Sequence, residues 1–197
     1  MKRARREAVE QQRRERARAA RRTNLVTTGI AVVVILVVAG LALRSRPEAL
    51  PDSSEAPKGV VSKEIEERNH IEGPVDYPDN PPMGGNHAPV WQNCGFYDDT
   101  IIKEQAVHSL EHGAVWVTYD PSIPQEDKDR LEQMAQAEGF LLVSAYDGQP
   151  SPIVATGWGR QLDFEEADDP DLARFVSYFQ VGPQTPEPGA PCTGGTM

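Results

Sequence analysis

Residues 103–119, KEQAVHSLEHGAVWVTY, change character at one glycine. Lys103–His112 predicts a short helix, with Val107 and Leu110 turned toward a core and His108 and His112 four apart on another face. Gly113 stops it, because a glycine enters the left-handed conformation that ends a helix without steric cost. Ala114–Tyr119 (AVWVTY) is then β-branched and aromatic in the manner of a strand.

The same alternation continues toward the C-terminus. Ser122 and Gln125 have capping-box spacing around Pro124 and open a predicted helix that runs to about Glu138, where Gly139 ends it. Phe140–Tyr146 and Ile153–Trp158 read as two strands, joined as a hairpin through Asp147-Gly148-Gln149-Pro150. Asp169 caps a last helix with Pro170 at its first position, and Leu172, Phe175, Val176 and Phe179 form its apolar stripe. The order predicts an α+β domain, helices packed on a small mixed sheet. It also resembles the later part of a thioredoxin-like fold, but there is no Cys-x-x-Cys to carry redox activity.

Toward the N-terminus the regular signals fade. Residues 69–97 are dense in proline, glycine and asparagine and read as an irregular lobe, which needs a functional reason to be so long. Pro47–Val61 reads as an extended spacer. Leu25–Leu43 is a run of 19 residues without a charge, long enough to cross about 30 Å of hydrocarbon as a helix. Ten Lys/Arg precede that run, while only Arg44 and Arg46 follow it closely, so the positive-inside rule puts the N-terminus in the cytoplasm. A cleaved signal peptide would have a shorter apolar core and a clearer cleavage site than Ala39-Gly40-Leu41-Ala42. The expected organisation is a basic cytoplasmic segment (1–24), a transmembrane helix (25–43), a linker (44–61), an extracytoplasmic domain (62–180) and a Pro/Gly-rich tail (181–197).

Twelve of the 20 Lys/Arg lie before Pro47, which leaves 8 against 27 Asp/Glu beyond it, a net charge of −19 on the outer part. Nucleic acid is excluded as a partner of that part, because phosphate contacts need a basic footprint. Cations or a basic envelope protein suit it better. Cys94 and Cys192 are the two cysteines, and an oxidising compartment makes a disulfide between them the default, tying the tail to the domain. The alternative is Cys94 as a metal thiolate beside the histidines.

All four histidines, His70, His87, His108 and His112, fall within the lobe and the helix after it. Imidazoles at i and i+4 can reach one ion, and Glu104 and Glu111 lie on or beside that face as carboxylates that ligate or orient a ring. Polar face residues with no ion are the competing explanation. His108-Ser-Leu-Glu111-His112 also fits the inverted zinc-protease motif. Against a protease stand the glycine directly after the motif and the lack of a third carboxylate on a downstream helix, Glu165 and Glu166 being the nearest. No Ser/His/Asp or nucleophilic cysteine arrangement is present that would point to another enzyme.

Three stretches carry a family resemblance: His70 with Pro81-Pro82-Met83-Gly84-Gly85-Asn86-His87, then Asn93-Cys94-Gly95-Phe96-Tyr97, then Ala106-Val107-His108-Ser109-Leu110-Glu111-His112-Gly113. Together with Trp158-Gly159-Arg160 and Gly189-Ala190-Pro191-Cys192 they resemble the bacterial domain of unknown function 3105 from about Ser62 to Thr193. The resemblance implies an N-terminal anchor and an exported domain, and brings no activity. Many members carry Thr/Ser-Ser/Gly-Gly-Pro where this chain has Met83-Gly84-Gly85-Asn86, and a thioether there would tilt a metal site toward copper. The leading expectation is a membrane-tethered metal-binding protein, for copper ahead of zinc. His87, His108 and His112 are its central ligands, with His70 and Met83 weaker and Glu111 supporting. The contrasting expectation is a non-catalytic structural or interaction module of the cell envelope.

Overall fold

A computed structural model describes residues 55–197, so the basic segment, the apolar run 25–43 and most of the linker lie outside the described residues. Among the described residues no helix is long and apolar enough to cross a membrane. The elements are β1 (Val61–Ser62), β2 (Gly95–Thr100), α1 (Lys103–Glu111), β3 (Val115–Tyr119), α2 (Gln125–Ala137), β4 (Leu141–Ala145), β5 (Ile153–Gly157), β6 (Arg160–Phe164) and α3 (Pro170–Phe179).

They build one mixed sheet in the order β1-β6-β5-β3-β4-β2. β4 runs parallel to both β2 and β3, while β5 is antiparallel to β3 and β6. Strands β3, β4 and β5 are buried along their whole length, as expected where both faces of a sheet are covered. Val115, Val117 and Tyr119 of β3 point to one face with Leu131 of α2 and Phe175 and Phe179 of α3. Trp116 points to the other, with Ala106, Val107 and Leu110 of α1 and Trp158. The two-residue period of a strand thus sorts its side chains between two helical layers.

Three local expectations are corrected. Residues 140–158 form no hairpin: β3 lies between β4 and β5, taking β4 as a parallel neighbour after the α2 crossover and β5 as an antiparallel one. The connecting loop instead crosses the end of β3, where Gln149 Nε2 donates to the carbonyls of Ser151 and Pro152. The true hairpin is β5–β6, turning at Trp158-Gly159 with Gly159 at φ +65°. A Cβ there would lie 2.4 Å from the Lys63 carbonyl, so no other residue fits without moving backbone. The Ser122 capping box also does not form. Ser122 donates both its amide and its hydroxyl to Asp120 Oδ1, a local turn that competes with capping, and Pro124 is the N-cap of α2. Finally, the irregular lobe ends earlier than expected, because β2 begins at Gly95.

The helix α3 follows its sequence: Asp169 accepts the Asp171 amide at 2.8 Å, and the four stripe residues are buried. Helix α1 is unusual. Its apolar side meets the sheet, yet Glu104, His108, Ser109 and Glu111 on its other sides are buried too. The lobe covers them, docked by Ala88 N to Glu104 O, Gln92 N to Gln105 O and Ser109 Oγ to Gln92 O. The tail covers the helix end, with the Glu187 and Gly189 amides donating to the carbonyls of Glu111 and His112. Those are carbonyls that a helix terminus leaves without an internal donor. Cys94 and Cys192 are disulfide-bonded with Cα atoms 5.3 Å apart, and the Cys94 amide donates to the Cys192 carbonyl.

Candidate metal centre

The polar side of α1 meets the lobe at a group of four side chains. One ligand atom from each of His70, His87, His108 and Glu111 lies within 4.8 Å of every other. His108 and Glu111 come from consecutive turns of α1. His70 comes from the start of the lobe and His87 from its second half, and a short parallel bridge brings them together: Ile71 N donates to His87 O and His87 N to Asn69 O. All but His70 are buried, and the His70 side chain is half-exposed.

Each buried ring is held by one nitrogen. His87 Nδ1 lies 2.7 Å from the Gly85 carbonyl, His108 Nδ1 2.7 Å from the Ala88 carbonyl, and His112 Nδ1 2.7 Å from the Pro191 carbonyl. A carbonyl can only accept, so every Nδ1 carries the proton and every neutral ring leaves Nε2 bare. A backbone acceptor on the far nitrogen is the usual way of aiming a ligating histidine.

The bare nitrogens face acceptors. His87 Nε2 is 3.1 Å from Glu111 Oε2, and His108 Nε2 is 2.9 Å from His112 Nε2. With all rings neutral no proton lies between either pair, and the repulsion of the lone pairs is relieved by a proton on His87, which then donates to Glu111, or by a shared metal ion. Glu111 sharpens the point. It is a buried carboxylate that, among the described residues, pairs with His87 and His70 at 3.1 and 3.6 Å. Burial pushes its carboxyl up, but the His87 hydrogen bond and the charges of His87, His108 and His70 outweigh this and hold it below its ordinary value. It remains an anion in want of positive charge.

His108 cannot supply that charge readily. Burial pushes its pKa down to about 4, against the help of the Ala88 carbonyl and aided by the neighbouring His112, His87 and His70. The folded metal-free protein therefore binds a proton at His108 less readily than the unfolded chain. This contribution to stability is complete above about pH 6.5 and is lost as pH falls toward 4. The loss is expected to be on the order of 2 kcal/mol at that group. Urea melts of metal-free protein between pH 7.5 and 4.5 check it, and a stability independent of pH across that window would contradict it.

The remaining predicted residues are placed as follows. His112 touches His108 but is not one of the four whose donors all approach one another. Glu111 is in direct contact with the rings rather than behind them. Glu104 turns away to accept the Val75 amide. Met83 is buried and its carbonyl accepts from Gly159 N. Cys94 is consumed in the disulfide. Sequence reasoning missed the aromatic walls: the Trp91 ring lies 5.0 Å from that of His112 and 5.7 Å from that of His108, and Trp158 stands edge-on to His87 at 6.0 Å. The only signal for them was their occurrence in the Pro/Gly-rich lobe and after a strand.

Neither the curated proteins nor the solved structures contain a match to this chain. A family described as "Protein of unknown function (DUF3105)" matches residues 70–194, a span that runs from the first histidine past the second cysteine of the disulfide. With well over half of its length matched, the chain belongs to the DUF3105 family.

Proposed function

We propose that the protein binds a transition-metal ion through His70, His87, His108 and Glu111. The observation that carries this is the convergence of donor atoms from His70, His87, His108 and Glu111, with the His87 and His108 rings each held through Nδ1 by a backbone carbonyl so that Nε2 turns inward. Three imidazoles and one carboxylate suit Zn²⁺ or Cu²⁺. Copper is the tighter of the two for such donors by the general affinity order, and this preference needs no help from Met83. Four ligands at about 2.1 Å from an ion stand roughly 3.4 Å apart, so the group must close slightly, and half-exposed His70 is the member with room to move.

The reading extends to the setting. The uncharged run Leu25–Leu43 with its basic flank supports a single-pass anchor with the acidic domain outside, where a disulfide persists. The ion is then met on the outer face of the membrane.

Competition between the full-length protein and a chromogenic chelator tests the centre. One Cu²⁺ or Zn²⁺ per chain, at submicromolar affinity, is expected. No retained metal after dialysis against dilute chelator would overturn the reading in favour of a non-catalytic interaction module, with the histidines serving as buried hydrogen-bonding groups.

A further inference from the structure

We infer that His112 and Glu187 form an entry position that captures the ion and passes it to His108, an inference that rests on the metal centre proposed above. His112 is buried, its Nδ1–H is spent on the Pro191 carbonyl, and its bare Nε2 points at His108 Nε2 across 2.9 Å. On the solvent side of the same nitrogen stands Glu187 Oε2 at 4.0 Å, on a side chain 57% exposed. An imidazole nitrogen and a carboxylate oxygen thus meet between solvent and the centre, and the Trp91 ring flanks both His112 and His108.

The arithmetic of lone pairs makes this a step on a route and not a second store. His108 Nδ1 is committed to Ala88, so the ring has a single donor, Nε2. That donor cannot serve an ion beside His112 and another beside His87 at the same time. The ion held by Glu187 and His112 gains His108 as a ligand. It then exchanges Glu187 and His112 for His87, Glu111 and His70, without transfer of a proton or an electron. The chemical class is a divalent cation that accepts imidazole and carboxylate, as at the centre. Glu187 gives the acidic exterior a charge at the mouth, where attraction raises the rate of capture more than the final affinity.

Loading kinetics test it. Metal-free full-length protein is mixed rapidly with Cu²⁺ and followed by tryptophan quenching, since Trp91 and Trp158 lie beside the histidine rings. Glu187→Gln is expected to slow loading about tenfold at low ionic strength, with affinity close to that of the parent and still one ion per chain. Glu187→Asp, which keeps the charge, should restore most of the rate. His112→Gln should slow loading as well. Wild-type rates in both the glutamine variants, or a second tightly held ion in the parent, would overturn the entry position while leaving the centre intact. A parent protein that takes up no copper at all, established by elemental analysis before the kinetics, overturns the centre and the entry position together.

Discussion

Replacing His87 with glutamine is expected to weaken metal binding by a hundredfold or more while leaving the metal-free protein folded. The first half follows from ligand number. A four-ligand site of about 12 kcal/mol loses roughly 3 kcal/mol with one ligand, which is about two powers of ten. The second half follows from donor chemistry. His87 Nε2 lies 3.1 Å from Glu111 Oε2, and a glutamine side chain can present an N–H there. The buried carboxylate would keep a donor at that position without the ring. His108→Gln is expected to cost as much in affinity, and to flatten the pH dependence of stability. Chelator competition and urea melts on the same preparations check both halves. Loss of stability in His87→Gln, with affinity unchanged, would mean that His87 and Glu111 are a structural ion pair.

The disulfide carries the second large effect. Cys94 and Cys192 are 98 residues apart, and closing a loop of that length restricts the unfolded chain by about 4–5 kcal/mol in the chain-entropy account. Reductant, or the double replacement Cys94→Ala with Cys192→Ala, is expected to lower the thermal midpoint of the metal-free protein by roughly 10–15 °C. No free cysteine exists among the described residues, so a reductant acts on this bond alone. Differential scanning calorimetry with and without reductant measures it, and an unchanged midpoint would show that the hydrogen bonds of the tail suffice to hold the domain closed.

The helices and the interior strands were legible because each carries a local signal. Gly113 ends α1, the Asp169-Pro170 pair opens α3, and AVWVTY has no reading other than a buried strand. The missed elements are edge strands or close to the edge. β6, RQLDF, shows three half-buried positions, and β2, GFYDDT, ends in exposed acids, so neither has the apolar content that marks a strand. The supposed hairpin failed for a different reason. Sequence proximity cannot reveal that β3 is wedged between β4 and β5, because the α2 crossover lets β4 pair on one side of β3 and leaves the other side to β5. At the site, the i, i+4 histidines of α1 were visible, as was the clustering of the other two. What spacing could not show was that Glu111 sits among the donors while His112 turns toward the tail, since a loop delivers His70 and His87 to one side only.

The disulfide divides the chain in a way that bears on how a bound ion would act mechanically. Residues 94–192 are a covalent ring containing the whole of β2 to α3, and within it His108 and Glu111. His70 and His87 precede Cys94 and belong to the stretch of chain that enters the ring from the N-terminal side, held to the sheet by β1 and by lobe hydrogen bonds such as Gly159 N to Met83 O. Tension applied from that side would unzip β1 and then the lobe, and would stop at the ring. The four donors straddle this boundary, two on each side. An ion at the centre would therefore be a second cross-link, reversible where the first is covalent. A pulled protein would resist with its metal loaded and let the lobe go once the metal was removed.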